Sequence, residues 1–119
     1  PELSIASFTK LLELRDERIF PLTLQPKDVG LPLGAFREMA GFSPALADQE
    51  ASLLRRILHN QVPGGQRNWV ILNAAMLLYA AGRAPSISAC VPLAQQALES
   101  GAAARKLNEL VVVKDVIHV

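Results

Sequence analysis

The sequence is poor in cysteine and in clustered charge, and each shortage excludes a class of protein. A single cysteine, Cys90, excludes an internal disulfide and fits a reducing compartment. The formal net charge is +1, and the nearest basic clusters are only the pairs 55–56 and 105–106. Nucleic-acid-binding proteins usually carry a basic stripe, so we expect these pairs to lie on solvated helix faces. We therefore predict no nucleic-acid partner.

The sequence also lacks a long apolar run and a secretory leader. Its longest apolar stretch, residues 69–81, is interrupted by Asn73 and is shorter than the roughly 20 residues that span a bilayer. The sequence begins Pro-Glu-Leu-Ser, in which no secretory signal is visible. We predict a cytoplasmic protein with no membrane partner.

The composition favours packed helices. Half of the 119 residues are hydrophobic, only 5% are aromatic, and alanine and leucine supply most of the apolar side chains. Both residues lose little rotamer freedom in a helix. A chain of this length fits one small domain or a piece of a larger one.

The order of patterns predicts a short hairpin followed by helices. Two apolar runs within residues 9–24 flank the charged turn 15–18, which indicates a β-hairpin, with Pro21 on an edge strand. Ser43-Pro44 is typical of a helix start, and Gly82 of the left-handed position after a helix end. We predict helices over residues 44–60, 68–81 and 87–110, whereas the tail 111–119 could be strand or helix.

The predicted helix over residues 68–81 is apolar nearly all round. Such a helix should be buried on most sides. A chain this short has little material to surround it, and an isolated hairpin is marginal in water. We expect the chain to be a piece of a longer polypeptide.

Few residues could carry chemistry, and no complete catalytic site is predicted. Residues 63–66 lack the ending of a phosphate-binding loop and indicate an interhelical turn. His59 and His118 show no metal-ligand spacing. Cys90 has no neighbouring histidine and aspartate, which favours a small buried side chain.

Asn73 and the pair Arg67-Asn68 each allow two interpretations. Asn73 could contact a substrate, but a buried amide more often bonds to a neighbouring backbone. Arg67 and Asn68 could hold an anionic ligand or cap the helix, and capping is favoured. Glu2, before the first strand, could bind a hard cation such as Mg²⁺, although a carboxylate in that position is usually only solvated.

The motifs along the chain resemble the C-terminal region of anthranilate phosphoribosyltransferases. The most specific stretch is 69–102, with Leu-Asn-Ala-Ala at 72–75, and residues 24–31 are similar to a loop after the last strands of these enzymes. The resemblance runs from about Glu2 to Leu110. It implies the C-terminal part of an α/β domain, so the fold class is α/β, with this segment mostly helical.

The resemblance also implies an activity. These enzymes transfer phosphoribose from phosphoribosyl pyrophosphate to anthranilate in tryptophan biosynthesis, assisted by Mg²⁺, and their glycine-rich pyrophosphate loop lies upstream of this region. An Asp-Glu pair binds magnesium in the family, and Pro1 and Glu2 occupy its positions, so only Glu2 carries over as a ligand. The implied partners are the rest of the enzyme, phosphoribosyl pyrophosphate and anthranilate, and the segment alone should be inactive. The alternative is a non-catalytic helical interaction module that keeps the family scaffold.

Overall fold

The computed structural model describes residues 2–39 and 47–116 and contains a hairpin followed by helices. The strands are β1 (Thr9–Arg15) and β2 (Arg18–Leu24), and a 3-10 helix spans Pro26–Val29. The α-helices are α1 (Phe36–Met39), α2 (Ala47–Leu58), α3 (Gly65–Ala80), α4 (Ile87–Glu99) and α5 (Ala102–Val116). The predicted helical character and the hairpin at 9–24 are confirmed.

The hairpin is antiparallel and joins its strands through the two-residue turn 16–17. Its register pairs Leu11 with Leu22 and Leu12 with Pro21, so alternate pairs lie on opposite faces. Leu11 and Leu22 pack against the core, whereas Leu12 is 74% exposed. Because β1 and β2 are the two strands of this sheet, Pro21 lies on an edge strand as predicted.

The core lies between α3 and α4, and the segment that precedes the hairpin packs against it. Each helix directs one side inward at helical spacing. The fully buried residues at this contact are Ile71, Leu72 and Ala75 of α3 and Cys90 of α4. The prediction that Cys90 is a small buried side chain is therefore confirmed. The 3-10 helix packs against α4, and α2 against α5.

The bounds of the predicted helices need three corrections. The helix predicted from 68 begins at Gly65, because Gly64, with φ +91°, forms its N-cap. The helical segment predicted over 87–110 is divided at residues 100–101, where Gly101 has φ +74°, into α4 and α5. The second of them runs on to Val116, so the start of the tail is helical. The Ser43-Pro44 signal and residues 117–119, with His118, lie outside the described residues.

Both ends of the turn between α3 and α4 follow from local signals. Gly82 has φ +70°, and its N–H and that of Arg83 bond back to the carbonyls of Tyr79 and Leu78, which is the Schellman pattern. Ser86 then caps α4, since its hydroxyl accepts from the Ala89 N–H at 3.1 Å. The helix α4 begins at Ile87 and continues through Pro92.

One side of α3 is covered by the described chain and the other is not. Trp69 and Ile71 are buried, but Leu77 is 71% exposed. On α4, Val91 and Ala94 are buried, whereas Leu93 is exposed. Among the described residues, no helix combines the length and the apolarity that crossing a bilayer requires.

Candidate functional site

The first candidate site residue, Glu2, begins an extended segment that precedes the hairpin. Alternation in this segment buries Leu3 and Ile5 and leaves Glu2 exposed. The Ile5 carbonyl accepts from the Gly34 N–H at 2.8 Å, which fixes the far end of the segment. The Glu2 carboxylate is therefore free to rotate on a backbone that is anchored close by.

The anchor at the near end is Asn73, from the middle of α3. Its Oδ1 accepts from the Leu3 N–H at 2.9 Å, and its Nδ2 donates to the Leu3 carbonyl at 3.3 Å. The same Nδ2 donates to the Trp69 carbonyl one turn earlier at 3.0 Å. The side-chain amide thus bonds to both the N–H and the carbonyl of a residue 70 positions away, as the backbone of a neighbouring strand would. The favoured interpretation of Asn73, bonding to backbone, is confirmed.

Trp69 completes this anchor. Its indole Nε1 donates to the Leu3 carbonyl at 2.7 Å, so that carbonyl accepts from two side chains of α3. The indole is nearly buried, and a buried donor needs such a partner. Sequence reasoning weighed Asn73 but missed Trp69, because only the fold brings position 3 to this helix.

Beside this anchor a cavity of about 410 Å³ opens along α3. Its wall is mostly apolar, and its lining includes Leu54, Leu77 and the carboxylate-bearing Glu2. Asn73 lies in the same wall with its amide already engaged. Among the described residues that line this cavity, Glu2 is the charged one.

At this position the chain offers Mg²⁺ a single carboxylate ligand, that of Glu2. Among the described residues no cluster of three or more His, Cys, Asp or Glu side chains is found. Mg²⁺ commonly takes one or two carboxylates together with waters and substrate phosphates, so one free carboxylate is compatible with that mode. It does not form an all-protein cage.

A second carboxylate belongs to Glu38 of α1, and its side chain contacts the N-terminal end of α3. Sequence reasoning did not single out this residue. Its Oε1 accepts from the Gly65 N–H at 3.0 Å and its Oε2 from the Ala35 N–H at 2.7 Å. These two backbone bonds, the one from Ala35 first, lower the pKa of Glu38. The carboxylate takes the place an external anion would occupy at this helix end. Of the segment 63–66, predicted to be an interhelical turn, only the first two residues lie between helices, because α3 begins at Gly65.

The pair Arg67-Asn68 does not cap α3. The helix begins at Gly65, so both residues lie inside its first turn. The Arg67 guanidinium instead bonds to Asn60 Oδ1 at 2.9 Å and to Glu99 Oε1 at 3.2 Å. Arg67 therefore ties the end of α2 to the end of α4. The capping interpretation was wrong because the helix start was placed three residues late.

A third polar contact joins the hairpin to α3. The Tyr79 hydroxyl donates to Glu13 Oε1 at 2.6 Å. Because the Glu13 carboxylate accepts this bond and burial adds to the effect, the pKa of Tyr79 is raised.

The described residues are mostly helical with one antiparallel hairpin, and the comparisons assign this segment to an α/β domain. The sequence model described as "Glycosyl transferase family, a/b domain" matches residues 1–104. The chain is therefore a member of this glycosyl transferase family.

Similar proteins extend the comparison. An anthranilate phosphoribosyltransferase of Nitrosospira multiformis is 42% identical over 92% of this chain and 30% of its own length. One of Haloarcula marismortui is 38% identical over 92% and 32%. The crystal structure of anthranilate phosphoribosyltransferase from Thermus thermophilus matches 93% of this chain and 32% of its own, with a TM-score of 0.77 and 30% identity. The chain spans about a third of the length of these relatives.

Proposed function

We propose that this chain is the C-terminal part of an anthranilate phosphoribosyltransferase in the cytoplasm, and that it is inactive by itself. The intact enzyme would transfer phosphoribose from phosphoribosyl pyrophosphate to anthranilate. The observation that carries this proposal is the agreement of sequence and fold with relatives of that name over more than nine tenths of the chain. Its partners would be the remaining two thirds of the enzyme and the two substrates.

In this proposal Glu2 supplies one oxygen ligand to Mg²⁺. When bound, the ion would neutralise charge that develops on the pyrophosphate leaving group. The chain's own contribution is to keep the Glu2 carboxylate exposed at the cavity beside α3 while the backbone next to it is fixed. The free carboxylate and its hard oxygen donors support this role.

The test is a chimera in which this chain replaces the segment of the Nitrosospira multiformis relative that aligns with it. We expect Mg²⁺-dependent formation of phosphoribosyl anthranilate from phosphoribosyl pyrophosphate and anthranilate, and none from the chain alone. Glu2→Gln should lower kcat/KM by about tenfold or more, the size typical of lost electrostatic stabilisation. The matched control is Glu109→Gln, an exposed carboxylate on α5, which should leave activity unchanged.

A chimera that melts cooperatively but forms no product would contradict the proposal. That result would favour the alternative, an interaction module that keeps the scaffold. Normal activity of Glu2→Gln would remove only the magnesium role and leave the transferase proposal intact.

A further inference from the structure

The outer face of α3 is apolar, and the described chain does not cover it. Val70, Ala74 and Leu77 recur at helical spacing and form this face. Val70 and Ala74 are half-buried, whereas Leu77 is 71% exposed. A contiguous exposed apolar patch typically marks a surface that another polypeptide segment covers.

Two grooves flank Leu77 and widen this face. One has a volume of about 380 Å³, and the described residues that line it are all apolar, with Leu98 of α4 and Ala103 of α5 among them. The other is the cavity of about 410 Å³ whose lining includes Leu54 and Glu2. Both grooves share the three residues of the outer face. Their shape and apolar walls fit the side chains of a protein element packed across α3.

The hairpin does not cover the outer face, because it packs on a different side of α3. Leu11 and Leu22 line a groove together with Tyr79, which lies about 160° around the helix from Leu77. Among the described residues, the sheet consists of the two hairpin strands. An α/β domain places its helices on the faces of a larger, mostly parallel sheet. The described chain thus supplies helices of such a domain but not the sheet on which they pack.

The relatives and the position of Glu2 indicate what covers this face. About two thirds of each relative lies outside the part that this chain matches. In the proposed enzyme that remainder precedes Glu2, and Glu2 lines the cavity at the edge of the outer face. The preceding chain would therefore reach α3 at this edge. Strands of a mostly parallel sheet are apolar on both faces, which complements the apolar grooves.

We propose that the outer face of α3 is the surface on which the main sheet of the α/β domain packs, contributed by the part of the longer enzyme that precedes Glu2. This inference rests on the proposed function and adds the surface through which the remainder of the enzyme binds. A second copy of this chain is the competing occupant, and the test below separates the two.

The test compares the exposure of position 77 in the 119-residue chain and in the chimera with the Nitrosospira multiformis relative. Leu77→Cys is treated with N-ethylmaleimide, and the reaction at this position is followed by peptide mass spectrometry. We expect the reaction to be slower by about tenfold or more in the chimera, because a thiol reacts only while it is exposed. The matched control is Leu110→Cys on α5, which is 60% exposed and lies beyond the residues that the family model matches. It should react equally in both proteins.

The possible outcomes separate this inference from the proposed function. Fast reaction at position 77 in a chimera that melts cooperatively would overturn the inference. Protection in the 119-residue chain that increases with protein concentration would also overturn it, since a second copy would then cover the face. Protection in a chimera that forms no product would support the packing surface and refute only the transferase activity. Product formation with position 77 still reactive would refute only the packing surface.

Hydroxyl-radical footprinting covers the case in which Leu77→Cys disturbs the chimera. It needs no substitution, because leucine side chains are oxidised in proportion to their exposure. We expect oxidation of Leu77 to fall by about tenfold from the 119-residue chain to the unsubstituted chimera, since the side chain would then be exposed only during local opening. Oxidation of Leu110 should stay the same. Equal oxidation of Leu77 in the two proteins would overturn the inference.

Discussion

The helix pair α3–α4 and the hairpin are both rich in apolar residues, yet the chain buries them very differently. In the pair, Ile71 and Leu72 are almost fully buried, and Cys90 faces them. On the outer face of the hairpin, Leu12 is 74% and Leu14 73% exposed. The positions of hydrophobic residues in the sequence therefore do not by themselves predict which surfaces are buried in the fold.

The difference has a geometric reason. A helix pair covers itself, since each helix offers its apolar stripe to the other. A hairpin has two faces, and its alternation cannot tell which face meets the core when both carry leucine. Here Leu11 and Leu22 face the helices, and Leu12 and Pro21 face away. The described chain supplies a covering layer for one face only.

The largest expected effect compares the two regions directly. Ile71→Ala should lower the free energy of unfolding by about 2–5 kcal/mol, because it leaves a cavity in a closely packed core. Leu12→Ala should change it by only about 0.5 kcal/mol, as exposed substitutions do. Urea denaturation of the 119-residue chain measures both values. Equal losses at the two positions would break the comparison.

A smaller effect concerns the start of α3, which the core depends on. A methyl group added at Gly65 would overlap the Glu38 carboxylate and force it away from the Ala35 and Gly65 N–H groups. Gly65→Ala should therefore lower the Tm by a few degrees. In a Glu38→Ala background the same change should cost little, because the obstacle and its bonds are already gone. Thermal melts of the parent chain, the two single variants and the double variant measure this coupling, and strictly additive losses would contradict it.

The sequence predicted local features better than distant ones. The hairpin and the Gly82 helix end follow from residues close in the chain and are confirmed, and the cap of α4 by Ser86 is equally local. The start of α3 was misplaced because Gly65 is held by Glu38, 27 residues earlier.

The candidate site shows the same limit. Glu2 was proposed as a cation ligand from its position before the first strand and from the family resemblance, and Asn73 was singled out by its polarity in an apolar helix. No local pattern indicates that Asn73 and Trp69 meet Leu3, because these contacts span 70 and 66 positions. Such contacts depend on how the elements pack, which periodicity does not encode.

The smallest expected effect tests the contact that links the two regions. Tyr79 of α3 donates to Glu13 of the hairpin, and this bond holds the pKa of Tyr79 above its usual value of 10.0. A group whose pKa is raised in the folded state stabilises the fold at lower pH and loses that contribution as pH rises. The unfolded chain would release the Tyr79 proton from about pH 10.0, whereas the folded chain keeps it to higher pH. Stability should therefore fall with rising pH above that point.

The control for this prediction is Tyr79→Phe, which keeps the ring and removes the hydroxyl. We expect it to lower stability slightly at about pH 8 and to make the decline above about pH 10 shallower than in the parent chain, because one titrating group has been removed. Urea midpoints at several pH values measure both effects. An unchanged slope would mean that the bond between Tyr79 and Glu13 does not couple the hairpin to α3.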